Sequence, residues 1–348
     1  PTLTLTAPVI SLQSGTLRGI VAVLAGADSV TVSGTTFTHE DAVLLSAVDG
    51  NWIGGPAPPL TALHITGGDV QLQNNQLRAP LTVMATGDVI MNNNTLGAAH
   101  DFEVTAAGSI SGNGNTLRDQ SFLLLNAGGD ITLGNGNQLE DSAMHVGSGA
   151  AFSLANSGLT DSVMLVENVD AATLTGNQLT SSSAAIVLEG PLVLTGNLLV
   201  DSSFTLVNGG ATTLTHNQIT RGGVQALVLD GTDTGTVLAT GNTVTDTRAR
   251  IVRAAEIEFA AANQFVNGGL WIDDSTQIHL HGNHFSNGEV GLSLERVEDV
   301  LVEDNSFLNL QIALRLGGAA DAVSENVLIL DNHFDTGLNT GIYIFNAH

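Results

Sequence analysis

The sequence predicts an all-β solenoid of about sixteen rungs, each of roughly 20 residues and three short strands. The first observation behind this is a phrase typified by Leu174-Thr175-Gly176-Asn177-Gln178-Leu179, which returns almost from end to end. Its apolar anchor recurs at Leu17, Phe37, Leu77, Leu96, Leu117, Leu139, Leu159, Leu179, Leu199, Ile219, Val244, Phe265, Phe285, Phe307 and Phe334, most of them 19 to 22 residues apart. The second is an asparagine two residues before the anchor: Asn75, Asn94, Asn115, Asn137, Asn177, Asn197, Asn217, Asn242, Asn263, Asn283, Asn305 and Asn332. The third is the period itself, too short for a helix pair and suited to one coil.

The rung from Ala172 to Gly190 illustrates the assignment. Thr173 and Leu174 begin one strand, Gly176 and Asn177 turn the chain, Leu179 sits on a second strand, and Ala184 to Leu188 form a third. Asparagine tolerates the left-handed backbone of a sharp corner, and its amide can bond the neighbouring rung, so an asparagine ladder is expected. A solenoid is one continuous domain whatever its length, so residues 1–348 are read as a single domain. The chain starts at Pro1 without a leader pattern and is read as a processed protein or a fragment of a longer one.

Once the rungs are set out, the chain resembles right-handed parallel β-helices of the pectate-lyase-like superfamily over essentially its whole length. Residues 66–140, with Gly87-Asp88-Val89-Ile90-Met91 and Gly129-Asp130-Ile131-Thr132-Leu133, are similar to the repeats of haemagglutinin-type secreted adhesins. Later rungs, with Gly282-Asn283-His284-Phe285 and Asp304-Asn305-Ser306-Phe307, resemble those of carbohydrate-associated β-helix proteins. The resemblance implies an extracellular or cell-surface location. Function has to be argued from sites carried on the fold.

Composition narrows the partners. Nine arginines and no lysine stand against 34 acids, a formal charge of −25, which excludes nucleic acid and anionic membrane surfaces. Cysteine is absent, which removes disulfides and thiolate metal sites. No stretch reaches eighteen unbroken apolar residues, so membrane insertion is not expected.

In chain order, residues 1–48 give two rungs in which Gly15 and Thr35 replace the asparagine. The register breaks near residues 49–59, where Trp52 and three prolines predict a protruding loop. Two residues after the anchor runs a second ladder: Asp119, Asp141, Asp161, Asp201 and Asp246, then Asn267, Asn287 and Asn309. These side chains cap turns, or bind calcium between Asp141 and Asp161; the glycine-rich nonapeptide of calcium-binding β-rolls is missing. No other cofactor is expected.

The third strand of many rungs is apolar on both faces. Alternation places Leu123, Leu125, Met164, Val166, Val187, Val207 and Val228 in a stripe on the outside, which a second copy, a filament neighbour or another segment of a parent protein would cover. Neither end offers an amphipathic capping helix, which also favours assembly. Past Val244 the same face carries Trp271, Asp273, Glu295, Arg315 and Tyr343. The family resemblance makes this the place for a glycan, with Trp271 and Tyr343 as sugar platforms, Asp273 and Glu295 as an acid–base pair and Arg315 as a uronate clamp. The alternative is a solvated face. His279 and His281 share a face, with His284 and His333 nearby in the repeat, and no third metal ligand follows from sequence. Arg248, Arg250 and Arg253 form a cationic spot near Asp246 and Glu256, expected to make surface pairs.

Two functions follow. One is a non-catalytic, extracellular, adhesin-like rod that presents or joins surfaces and self-assembles into filaments. The other is a polysaccharide-active protein, a hydrolase, lyase or epimerase of acidic glycans, working at Asp273, Glu295 and Arg315.

Overall fold

The computed structural model describes residues 2–18, 21–38, 63–78, 80–97, 99–221, 225–317, 324–335, 337 and 339–345. The loop predicted near 49–59, with Trp52, lies outside them. Among the described residues every regular element is a β-strand, and the paired strands run parallel from coil to coil, an all-β parallel solenoid as expected. The chain divides into two compact units, Pro1–Val169 and Asp170–His348.

One coil of the second unit explains the rest. Its strands Leu192–Thr195, Leu198–Val200 and Ser203–Asn208 pair in register with Ala211–Thr215, Gln218–Thr220 and Leu227–Asp230 of the next coil. Leu192, Leu194, Leu199, Phe204 and Leu206 point inward and are all at most 1 % exposed. Two corners separate the three strands. The first is Gly196, at φ +63, and the second Asp201, at φ +51. At each corner the backbone passes through the left-handed region, which glycine and the short polar side chains of Asp and Asn accept at least cost.

The asparagine ladder is present, with one correction: the left-handed residue is the one before it. Asn74, Asn93, Gly114, Gly176, Gly196, Gly241 and Gly282 have φ between +54 and +65. Each ladder asparagine instead turns its amide into the core. Asn197 donates Nδ2 to the Leu174 carbonyl at 2.9 Å and to Asn217 Oδ1 at 2.9 Å, and its backbone N–H donates to the same Oδ1 at 3.0 Å. In the first unit the ladder runs from Asn75 through Asn94 and Asn115 to Asn137. Serine takes the next place there, Ser157 Oγ donating to the Ala155 carbonyl at 2.9 Å with the Gly134 carbonyl also 3.1 Å away.

The anchors stack inside. From Phe265 through Phe285 and Phe307 to Phe334 the rings lie 4.9, 4.9 and 5.1 Å apart and within 8° of parallel. That spacing is close to the strand separation of roughly 4.8 Å, so a column of identical rings costs the coil no change of pitch.

The second ladder, Asp119, Asp141, Asp161, Asp201 and Asp246 with Asn267, Asn287 and Asn309, occupies the other corner, every member at φ between +47 and +61. Immediately after it comes a buried serine row that the sequence reading missed. Ser142 donates its hydroxyl to the Glu140 carbonyl at 2.8 Å, and its N–H donates to Ser162 Oγ at 3.2 Å. Ser182 and Ser202 repeat the pattern in the second unit.

That row corrects the apolar stripe. With Ser121 and Ser162 inward, alternation carries Leu123, Leu125, Met164 and Val166 into the core, at 8, 0, 0 and 0 % exposure. The residues facing out are Phe122, Leu124, Val163 and Leu165, flanked by Asp101, Glu103 and His145 on paired strands. Val187, Val207 and Val228 do face out, yet Val228 is in register with Thr205 rather than Val207. Among the described residues neither unit carries the continuous apolar stripe that the sequence predicts.

Candidate functional site

The outer face of the third strands in the second unit holds the predicted site. Strands Arg248–Val252, Gly269–Asp273, Val290–Glu295, Ile312–Gly317 and Thr340–Phe345 stack in parallel. Their register sets Trp271 against Ser293, Asp273 against Glu295, Ser293 against Arg315 and Arg315 against Tyr343. The order expected from alternation is therefore the observed one.

Charge pairing decides what this face can do. Arg250 donates Nε and Nη2 to the same oxygen of Asp273, at 2.8 and 2.7 Å, and the Asp273 side chain is only 7 % exposed. Arg315 lies 3.0 Å from Glu295 and stacks over the Phe345 ring at 4.7 Å. Arg248 lies over the Trp271 ring at 4.4 Å and reaches Glu289 at 3.6 Å. Tyr343 is exposed and its ring lies 5.9 Å from that of Phe345. Each carboxylate proposed for acid–base work is thus engaged by a guanidinium, and the proposed uronate clamp already holds a carboxylate of its own chain.

The corner beside this face carries a second set of pairs. Arg253 is bidentate on Asp230, and Arg296 is bidentate on Asp274. The hydrogen bonds from Arg296 hold the Asp274 carboxyl below its ordinary value, against the opposing effect of partial burial. Burial would raise Asp230, and the hydrogen bonds from Arg253 and from the Thr232 N–H, with the charge of Arg253, outweigh it and lower it. Reciprocally, Asp230 raises Arg253 and Asp274 raises Arg296. The cationic spot does make pairs, though with Asp230, Asp273 and Glu289 rather than with Asp246 and Glu256.

Beside Trp271 opens a cleft of about 290 Å³ lined by Asp246, Arg248, Asn267, Trp271, Glu289 and Val290, among others. Asn267 donates to Asp246 at 2.7 Å. Asp246 and Glu289 enter this site unannounced by the catalytic pattern, although the corner ladder marks the first.

The other candidates are dispersed. Asp141 and Asp161 are exposed corner residues of the first unit. His284 and His333 each pair with Ser306, on the anchor-strand face, away from His279 and His281. Those two share the outer face of the strand Thr276–His281, their rings 4.6 Å apart.

No curated protein and no solved structure matches the chain. The family model for the right-handed beta helix region matches residues 162–348, more than half of the sequence. With the parallel coils and the asparagine ladder already described, the match means that this chain belongs to the right-handed β-helix family.

Proposed function

We propose that the protein is a non-catalytic, extracellular or cell-surface, adhesin-like β-helix scaffold that presents its outer face to partners. The observation that carries this is the arginine capture of Asp273 and Glu295. A general acid or nucleophile has to meet the substrate, and Asp273 is shut in behind Arg250. The acids of the neighbouring corner are engaged in the same way. Self-association draws less support than the sequence suggested, because four of the seven stripe residues are core. A charge of −25 keeps such a scaffold dispersed unless specific contacts join it.

The polysaccharide reading keeps one observation of its own, the cleft beside Trp271. Its aromatic wall and acidic rim suit hydroxyl-rich ligands, and in that form the protein binds a glycan without cutting it.

The test is a screen of acidic and neutral polysaccharides for new reducing ends and for unsaturated products, together with light scattering across protein concentrations. No turnover is expected. Cleavage that disappears in Glu295→Gln, a variant that leaves the buried Asp273–Arg250 pair in place, would overturn the non-catalytic reading.

A further inference from the structure

We propose a metal site on the second unit, on a different outer face from the one described above: Glu258, His279 and His281, with Glu303 orienting His279, bind a zinc-like divalent cation. The residues come from three consecutive parallel strands, Glu256–Ala260, Thr276–His281 and Glu298–Glu303. Register places Glu258 against His279 and His281 against Glu303, so a carboxylate stands on either side of the histidine pair. One ligand atom from each of Glu258, His279 and His281 lies within 4.8 Å of the others.

Around a tetrahedral zinc with bonds of about 2.1 Å, ligand atoms sit about 3.4 Å apart. The observed spacing needs the ligand atoms to close by up to about 1.4 Å, which rotamer shifts supply without moving the strands. These side chains are free enough to do so, at 47, 39 and 33 % exposure for Glu258, His279 and His281.

The contacts already made fit this role. His279 Nε2 is 2.9 Å from a Glu303 oxygen. A neutral His279 donating that proton keeps its lone pair on Nδ1, and a carboxylate behind an imidazole is the usual way of orienting a metal-binding histidine. His281 Nε2 is 3.8 Å from Glu258, close but beyond hydrogen-bond distance. The imidazoles stack at 4.6 Å and 28°, and two protonated rings so placed would repel, whereas a shared cation is attracted by both.

Two imidazoles and a carboxylate select a borderline ion such as zinc, nickel or copper(II) over calcium or magnesium, which prefer all-oxygen shells. The chain's negative charge raises the local concentration of any cation. The remaining register neighbours on this face, Leu238 against Glu258 and Leu301 against His279, bring no opposing cation.

Titration calorimetry of the chelator-treated full chain with zinc chloride tests the site, with side-chain nitrogen NMR of the histidines as a second readout. One equivalent is expected to bind, moving the His279 and His281 resonances. Glu303→Gln, which removes the outer partner of His279, should weaken it by about 10- to 100-fold; His279→Gln and His281→Gln, which remove ligands, should each weaken it more. His145→Gln removes the histidine of a two-member pair, His145–Glu167 at 3.0 Å, and should leave the titration unchanged. Magnesium chloride in excess should not compete. Failure of the wild-type chain to take up zinc, or uptake that is the same in folded His279→Gln and His281→Gln, overturns the proposal. Loss of binding in His145→Gln equal to that in His281→Gln overturns it as well.

Discussion

If Asp273 is structural, it and Arg250 must be energetically coupled, and a double-mutant cycle measures that directly. Arg250→Met removes the cation that donates two hydrogen bonds, at 2.8 and 2.7 Å, to a carboxylate with 7 % of its surface exposed. Stripping one partner from a fully buried ion pair costs about 3–5 kcal/mol. Arg250 is itself 36 % exposed, so water can enter where it stood, and the expected loss falls to about 2 kcal/mol. Asp273→Asn keeps an acceptor and loses the charge, for about 1–2 kcal/mol. In the double variant the second change removes an interaction already broken, so the total should fall short of the sum by about 1 kcal/mol or more. Urea unfolding of the four proteins by circular dichroism, at constant slope, gives each value. Additivity within about 0.5 kcal/mol would refute the reasoning: Asp273 would then not be held by Arg250, and the catalytic assignment would recover its strongest residue.

Two further outcomes follow from the ladders and corners. Asn305→Ala removes a side chain that accepts from the Asn283 N–H at 2.9 Å and donates to the buried Leu280 carbonyl at 2.8 Å. Those two groups, and the side-chain amides of Asn283 and Asn332 bonded to it at 3.0 Å each, lose a partner, which should cost about 3 kcal/mol or more in urea unfolding; a loss below about 1 kcal/mol would mean that the ladder follows the fold and does not hold it. At the corner, Asp274 is held below its ordinary value of 3.8 by hydrogen bonds from Arg296. A depressed carboxyl contributes stability that is complete above its unfolded pKa and lost as pH falls through the folded one. Acid unfolding profiles should therefore fall below about pH 4, and Asp274→Asn should flatten that part of the curve; an unchanged slope would show that the pair carries no linkage.

How far the sequence could be read depends on which periodicity is asked. The 19–22-residue period is a property of whole coils, so the anchors, the asparagine ladder and the order Trp271, Asp273, Glu295, Arg315 and Tyr343 are all legible in the sequence. The two-residue period within a strand is more fragile. Each left-handed corner spends a residue, and a one-residue slip exchanges the two faces. In Asp161-Ser162-Val163-Met164 an apolar Val163 invites the choice of the wrong starting residue, and only the inward serine sets the count. Counted from the corner residue, Asp161 or Asp201, the inward positions are the first, third and fifth, which places Met164 and Val166 inside and Val207 outside.

The pairings across coils lie beyond both periods. Arg250 is in register with Trp271 yet bonds Asp273, two residues along, because a long guanidinium can reach diagonally to the acid of the next strand. A single sequence with six arginines and many acids in the second unit permits many such diagonals, and packing chooses among them. The His–Glu cluster is the instructive intermediate case. His279 and His281 are visible as an alternating pair, and Glu258 and Glu303 stand one coil before and one coil after, 21 residues before His279 and 22 after His281. In a solenoid, ligands for one ion need not be near in sequence; they need to be one period apart on the same face. A search for metal-binding spacing in this family should therefore be made at the coil period, where motifs written for helices and tight loops are blind.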